Sequence, residues 1–362
     1  MDQSDQRWME HALRLGRRNL GATGANPAVG CVIVAGGQLA GAGWTEIGGR
    51  PHAETRAIAM AGDRVRGATA YVTLEPCSHH GRTPPCAEAL IAAGVSRVVT
   101  SLEDPDPRVS GRGHAALAAA GIVVETGLLA GQARHDLAGY LSRIMRKRPY
   151  ITLKLAVSAD GKIAAAPGSP TAISGEAARN WVHALRAEVD AVMVGVSTVL
   201  ADDPLLTCRL AGLEQRSPVR VVSDSRASLP PDSRLAIGAR PVPVWLLTLA
   251  GEAPALAELG VVLIGCAATD GKVDLADGLR RLAERGINRV LAEGGARMAR
   301  ALLEADLVDE ILLLEASKEL GPGGLDALGG LPLSAITASP LFRLAGQEWL
   351  GQDRLSVYER VG

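Results

Sequence analysis

One histidine and two cysteines constrain the fold of this chain more than any other feature. His52 stands two residues before Glu54, Cys77 follows Pro76, and Cys86 follows a pair of prolines. One imidazole and two thiolates give Zn²⁺ three protein ligands and leave the fourth tetrahedral position for water, as in catalytic zinc sites. Any fold of the chain must therefore bring these three side chains to one point.

Glu54 gives that zinc site a chemical partner. A carboxylate two residues from a histidine ligand can move a proton from water to a leaving amine. The pattern H-x-E followed by P-C and a further cysteine is the signature of zinc-dependent nucleobase deaminases, in which the glutamate is not a ligand. Here the cysteines are nine residues apart. Arg82 lies in the loop between them, so we expect it over the metal, in contact with a phosphate or base; a solvated surface arginine is the alternative.

A closed structural zinc knot is the alternative to a catalytic site. It needs a fourth ligand, which His79 or His80 could supply. That interpretation leaves Glu54 without a role. The catalytic interpretation is therefore favoured, and neither histidine is assigned as a ligand.

Composition narrows the class of substrate and the organisation of the chain. With 362 residues and 47% apolar content, the chain is long enough for two domains with separate cores. A net charge of −1 and 3% aromatic residues argue against a nucleic-acid partner and favour small molecules. The sequence has neither an export signal nor an apolar run of membrane-spanning length, so a cytoplasmic protein is expected.

Strands alternate with helices along both halves, which predicts an α/β fold. The first half reads as a three-layer α/β/α domain whose first two strands form a hairpin through Gly36-Gly37. A basic segment ending at Pro149 separates the halves, so we place the domains at 1–147 and 148–362. A nucleic-acid arm is the other interpretation of this segment, but a solvated linker fits the neutral total charge better.

The second half contains no strand-linked G-x-G-x-x-G, so a Rossmann nucleotide site has no support. Gly294-Gly295 stands instead between a predicted strand and a predicted helix, where backbone amides can approach a phosphate closely. A plain turn is the commoner meaning of such a pair. The stretch 195–204 is predicted to be a polar loop at the end of another strand.

Several motifs in order resemble the bifunctional deaminase-reductase family of riboflavin biosynthesis. The resemblance covers nearly the whole chain, and the series is more specific than any one motif. The motifs are Asn26-Pro27-x-Val29-Gly30, His52-Ala53-Glu54, Pro76-Cys77-Ser78-His79-His80-Gly81-Arg82-Thr83-Pro84-Pro85-Cys86 and Val199-Leu200-Ala201-Asp202-Asp203-Pro204.

The resemblance implies two reactions on two domains. A cytidine-deaminase-like domain would remove the 2-amino group of 2,5-diamino-6-ribosylamino-4(3H)-pyrimidinone 5′-phosphate, with Asn26 hydrogen-bonded to the pyrimidine. A dihydrofolate-reductase-like domain would then use NADPH to reduce the ribose of the deaminated product to ribityl. The family's reductase substrate contacts map to Lys154, Arg186, Leu206, Arg209 and Glu293. Its cofactor contacts map to Ala156, Thr198, Asp202, Ser225 and Gly295, beside Gly294.

The chain departs from the family pattern at three positions. Thr45 stands where a histidine is common, seven residues before His52, and Pro170 and Ala172 replace an expected serine and tryptophan near the cofactor. Two rival functions remain: a tRNA-type deaminase with an accessory domain, and a zinc-stabilised module that senses nucleotides without turnover. A homo-oligomer is expected from the large apolar fraction.

Overall fold

The computed structural model describes residues 3–80, 84–166 and 171–361. The chain divides into two compact units, Met1–Lys147 and Arg148–Gly362. Within the described residues, no helix combines the length and apolar character needed to cross a membrane.

The first unit is built on a five-stranded sheet of order β2-β1-β3-β4-β5. Strand β1 runs antiparallel to β2 and β3, whereas β3, β4 and β5 are parallel. The strands are β1 (Gly30–Ala35), β2 (Gln38–Trp44), β3 (Thr69–Val72), β4 (Arg97–Thr100) and β5 (Val123–Thr126). The helices are α1 (Gln3–Gly16), α2 (Ala53–Ala61), α3 (Cys86–Ala93), α4 (Arg112–Ala119), α5 (Ala130–Asp136) and α6 (Ala138–Arg146).

The β1–β2 hairpin forms as predicted. Gly36 and Gly37 both have positive φ, 56° and 75°, which a tight hairpin turn requires and side chains disfavour.

Helix α2 packs directly on β2. A Cβ built on Gly43 would lie 2.1 Å from the carbonyl oxygen of Ala53, so only glycine permits this contact. The contact holds the first residue of α2 against the sheet.

The second unit is built on a nine-stranded sheet of order β11-β10-β9-β8-β14-β6-β15-β18-β17. In that order, the first seven strands, which end with β15, are parallel to one another. Strands β18 and β17 add an antiparallel hairpin. The strands are β6 (Tyr150–Val157), β8 (Ala191–Gly195), β9 (Val219–Ser223), β10 (Val244–Thr248), β11 (Val262–Gly265), β14 (Arg289–Ala292), β15 (Glu310–Glu315), β17 (Phe342–Leu350) and β18 (Asp353–Arg360). Two small ribbons pair β7 (Lys162–Ala164) with β16 (Leu325–Asp326) and β12 (Ala268–Thr269) with β13 (Lys272–Val273). The helices are α7 (Glu176–Arg186), α8 (Val196–Asp202), α9 (Arg234–Ile237), α10 (Pro254–Glu258), α11 (Leu275–Glu284), α12 (Ala296–Glu304) and α13 (Ser334–Thr337).

The prediction of a polar loop after β8 is wrong. Val196–Asp202 forms helix α8, which starts after an extended Gly195 and ends at Asp203 in the left-handed conformation. Val199 is 2% exposed and belongs to a core cluster with Val192 and Leu235. Valine and threonine have modest helix propensity, so the local signal is weak, and burial of Val199 stabilises the helix instead.

Candidate active sites

Three structural elements bring the predicted zinc ligands together in the first unit. His52 is the extended residue that precedes α2, Cys77 follows β3, and Cys86 begins α3. Their candidate ligand atoms all lie within 4.8 Å of one another. His52 Nδ1 is 3.3 Å from Cys86 Sγ and 3.7 Å from Cys77 Sγ. Tetrahedral zinc with ordinary bond lengths needs a nitrogen–sulfur separation of ~3.6 Å, so the donor set fits Zn²⁺.

The electrostatics of this cluster favour a thiolate. The pKa of Cys77 is lowered to about 4, first because the Cys86 thiol donates a hydrogen bond to it and further because His52 and the Cys86 backbone N–H do the same. The pKa of Cys86 is raised, first because its thiol donates this hydrogen bond to Cys77 and then because it is buried. One thiol of the pair is therefore prepared as an anionic ligand by its neighbours.

Glu54 lies beside the cluster, in the first turn of α2. It is 4% exposed, and burial, followed by the charge on Cys77, raises the pKa of its carboxyl. A raised pKa brings a carboxyl closer to the neutral pH at which a general acid/base must both take up and release a proton. It shares a cavity of about 290 Å³ with His52 and Cys77.

Asn26, whose predicted hydrogen bond to the pyrimidine stays a prediction, lines the same cavity, and so does Thr45. Thr45 is 3% exposed, and its hydroxyl accepts the backbone N–H of Val29 at 3.0 Å. This threonine therefore holds the start of β1 in the wall of the cavity. Arg82, predicted to contact substrate, lies outside the described residues, as does Pro170.

A second wall of this cavity was not predicted from the amino-acid sequence. Its side chains come from the turn after β4 and from helix α6. They include Asp104, Asp106, Arg108, Tyr140 and Arg143. The Asp104-Pro105-Asp106-Pro107 run is visible in the sequence, but it indicates only a turn. This run lies near the zinc ligands because β3 and β4 pair in parallel, which places the segments that follow the two strands side by side.

In the second unit, the predicted reductase residues gather where parallel strands end. Lys154 and Ala156 occupy alternate positions near the end of β6, Thr198 and Asp202 lie on α8 after β8, and Glu293 follows β14. Strands β8, β14 and β6 are adjacent and parallel, so their carboxyl ends share one edge of the sheet. Ligands of open α/β sheets bind at such edges.

A buried ion pair lies at this edge. Arg186 Nε and Nη2 donate to the two carboxylate oxygens of Glu293 at 2.6 and 2.9 Å, and Nη1 donates to the carbonyl of Thr207 at 3.0 Å. Burial alone would lower the Arg186 pKa, but Glu293 raises it. Burial lowers the pKa of the nearby Lys154, and the charge on Glu293 opposes that change. Two of the three guanidinium nitrogens of Arg186 are therefore bound to Glu293.

The remaining predicted residues surround this pair or the adjacent strand ends. The backbone N–H of Gly295 donates to Thr198 Oγ1 at 3.2 Å, so two predicted cofactor residues are in contact. A Cβ on Gly294 would lie 2.6 Å from Met298, which shows how closely this turn packs on α12. Ser225, after β9, accepts the backbone N–H of Val273 at 2.9 Å through its hydroxyl.

Leu206 and Arg209 belong to one loop between α8 and β9. Leu206 is buried with a positive φ of 54°, whereas the Arg209 side chain is exposed. His183 of α7, which the sequence analysis did not single out, accepts the Arg209 backbone N–H at 3.3 Å through Nδ1. The pair Gly294-Gly295 fits a phosphate-bearing cofactor, because it carries no side chains and lies between the end of β14 and the N-terminus of α12.

Two family models match the two halves. Residues 2–102 match the cytidine and deoxycytidylate deaminase zinc-binding region, and residues 149–355 match the RibD C-terminal domain. The expected pairing of a cytidine-deaminase-like domain with a dihydrofolate-reductase-like domain in an α/β chain is confirmed.

Individual relatives match over nearly the full length. The riboflavin biosynthesis protein RibD of Escherichia coli K12 is 41% identical, with 96% of this chain and 97% of that one covered. The solved structure of Acinetobacter baumannii RibD, form 1, has a TM-score of 0.89 at 38% identity, with 99% of each chain covered. A diaminohydroxyphosphoribosylaminopyrimidine deaminase/5-amino-6-(5-phosphoribosylamino)uracil reductase from Thermotoga maritima has a TM-score of 0.87 at 34% identity, again with 99% of each chain covered. The chain belongs to the RibD family of riboflavin biosynthesis proteins.

Proposed function

We propose that the unit 1–147 deaminates 2,5-diamino-6-ribosylamino-4(3H)-pyrimidinone 5′-phosphate and that the unit 148–362 reduces 5-amino-6-(5-phosphoribosylamino)uracil. The protein is a bifunctional enzyme of riboflavin biosynthesis that uses Zn²⁺ and NADPH. The observation that carries the first assignment is the convergence of His52, Cys77, Cys86 and a buried Glu54 at one cavity.

In the deaminase, His52, Cys77 and Cys86 hold the metal. Zinc bound there supplies a Lewis acid and lowers the pKa of a coordinated water. Glu54 accepts a proton from the attacking water and delivers it to the neighbouring ring nitrogen. It then moves the proton of the added hydroxyl to the 2-amino nitrogen, which leaves as ammonia while the carbonyl forms. Asn26 orients the pyrimidine, and Arg82 contacts the ribotide. The buried position of Glu54 supports this role, because proton transfer inside a cavity is shielded from bulk water.

In the reductase, bound NADPH supplies the hydride that opens the ribosyl ring to ribityl. Ala156, Thr198, Asp202, Ser225, Gly294 and Gly295 bind the cofactor, and Lys154, Arg186, Leu206, Arg209 and Glu293 bind the substrate. Arg209 is exposed, which supports it as the ligand of the 5′-phosphate. The ion pair with Glu293 supports Arg186 as the residue that orients the Glu293 carboxylate toward the sugar.

An ultraviolet time course with the diaminopyrimidinone ribotide tests both assignments. Spectral conversion should occur without NADPH, and NADPH should be oxidised when it is added afterwards. Conversion without NADPH oxidation would overturn the reductase assignment. If the zinc-loaded protein converts nothing, the named substrate is wrong.

We also propose that the enzyme is a homo-oligomer in the cytoplasm. The 47% apolar composition supports self-association. Cys77 and Cys86 are adjacent thiols that would be lost as ligands if they were oxidised, which favours a reducing compartment. Light scattering of the purified protein and cell fractionation test these two statements.

A further inference from the structure

Glu75 is a buried carboxylate that the proposed chemistry does not use. Its side chain is 0% exposed. It accepts four backbone N–H groups: those of Asp104 at 3.1 Å, Gly111 at 3.0 Å, Gly113 at 2.8 Å and His114 at 3.2 Å. A carboxylate offers about four lone pairs, so these donors fill its capacity. One side chain therefore holds a whole segment, 104–114, by its backbone.

This segment contains one wall of the deaminase cavity. Asp104 and Asp106 line the cavity, and the Asp106 backbone N–H donates to Asp104 Oδ1 at 2.9 Å. Tyr140 donates its hydroxyl to both Asp104 oxygens, at 2.9 and 3.1 Å. Asp106 in turn binds Arg108 through Nε and Nη2. These contacts hold the wall together. Its attachment to the chain near the metal ligands comes from the four hydrogen bonds to Glu75 and from Ser78, whose hydroxyl donates to the carbonyl of Arg108 at 3.3 Å.

A second contact at the same joint is equally tight. A Cβ built on Gly113 would lie 2.0 Å from the carbonyl oxygen of Pro76. The first turn of α4 is therefore packed directly on the peptide that precedes Cys77. Any movement of α4 away from Glu75 would be transmitted to the segment that carries a metal ligand.

We propose that Glu75 is a positioning residue of the deaminase, which sets the distance between the Asp104–Asp106 wall and Cys77 and so the fit of the substrate. This inference rests on the proposed deaminase function. Glu75 is part of the cavity lining, but its carboxylate oxygens face the backbone N–H groups of the segment 104–114, so we infer that it acts through that segment. Removing its charge should therefore weaken substrate binding more than it slows the chemical step.

Glu75→Gln tests this, because glutamine keeps the shape but replaces one acceptor oxygen with an NH₂ group that faces N–H donors. We expect kcat/KM for deamination to fall about 10- to 100-fold, mostly through KM, as for a misplaced binding wall. Zinc content per chain and the reductase activity should stay at the wild-type level. Glu103→Gln, an exposed glutamate next to the wall, is the matched control and should behave as wild type.

The outcomes separate the two hypotheses. If the wild-type protein does not deaminate the ribotide, the proposed function fails. If it does, and Glu75→Gln loses kcat in proportion to lost zinc at unchanged KM, Glu75 is merely structural and the inference is overturned. Unchanged kinetics in Glu75→Gln overturn it as well.

Hydrogen exchange on the wild-type protein covers the case in which the variant does not fold. The amides of Asp104, Gly111, Gly113 and His114 should exchange slowly, although they lie in a turn and at a helix start. Rapid exchange at these four positions would show that the carboxylate does not hold them, and would overturn the inference.

Discussion

At the scale of single residues, two buried carboxylates of the first unit serve different ends. Both glutamates line the cavity that contains His52 and Cys77, but Glu75 turns its oxygens toward four backbone amides. A carboxylate whose oxygens are filled by fixed donors is poorly suited to proton transfer. Among these two, Glu54 is therefore the residue suited to acid–base chemistry.

Glu54→Gln should lower deaminase kcat by about 10²- to 10⁴-fold, since it removes the general acid/base. Zinc should remain bound, because Glu54 is not among the three converging ligands. Metal analysis and the ultraviolet assay measure the two quantities. The exposed Glu88→Gln on α3 is the control with expected full activity. Full deaminase activity in Glu54→Gln would contradict the assignment of Glu54 as the general acid/base.

A third buried carboxylate, Asp190, makes stability depend on pH in the second unit. Its Oδ2 accepts the backbone N–H groups of Asn288 and Arg289 at 3.2 and 2.7 Å, and burial raises its pKa to about 6. The unfolded-state pKa is ~3.9. Because the folded pKa is the higher one, the stabilising contribution is fully present below pH ~4 and is lost as the pH rises through 6.

The free energy of unfolding of Asp190→Asn, measured relative to that of wild type, should therefore increase by up to about 3 kcal/mol when the pH is raised from 4 to 7. Denaturant unfolding at both pH values measures this difference. The exposed Asp232→Asn serves as the control. A difference between Asp190→Asn and wild type that does not change with pH would contradict the prediction.

At the scale of elements, a close backbone contact between α2 and its sheet also sets the position of the proposed catalytic groups. Gly43 of β2 lies directly under Ala53, which is flanked by His52 and Glu54. Because the contacting atom is a backbone oxygen, no side-chain rotation can relieve a clash. The start of α2 would have to move as a unit.

Gly43→Ala should lower the free energy of unfolding by about 1–3 kcal/mol, the usual cost of overpacking, and should reduce zinc affinity. Thermal unfolding and a zinc titration test the two effects. Gly131→Ala on α5 is the matched control, because a Cβ there meets nothing within 4 Å. Equal stability and zinc affinity in the two variants would contradict the proposed contact.

At the scale of the whole molecule, the two chemistries use residues from separate units. The candidate zinc ligands lie in Met1–Lys147, and all the proposed NADPH contacts lie in Arg148–Gly362. Each unit has its own sheet and its own core clusters. Loss of the metal should therefore affect one reaction alone.

Removing zinc with a chelator should abolish deamination and leave the reductase active. The reductase is assayed by NADPH oxidation with the deaminated ribotide as substrate, so that it does not depend on the first reaction. Adding zinc back should restore deamination. Parallel loss of both activities, with recovery of both on adding zinc, would show that the reductase needs the metal.

The amino-acid sequence by itself indicated the candidate ligand set and determined the α/β class and the strand–helix alternation. Each of these is carried by nearby residues: H-x-E within three positions, proline before each of the two candidate ligand cysteines, and runs of apolar residues with strand or helix spacing. The family resemblance extended this to candidate reductase residues such as Thr198 and Gly295, which the structure brings into contact.

Only the tertiary structure decided the rest. Helix α8 depends on burial of Val199, the Asp104–Asp106 wall on the pairing of β3 with β4, and the Arg186–Glu293 pair joins residues 107 positions apart. Contacts between distant segments leave no periodic pattern in either segment, because each partner looks locally like an ordinary polar or apolar residue. Their energies appear only once the chain is folded, which is why the sequence shows the chemistry of the site but not the walls that shape it.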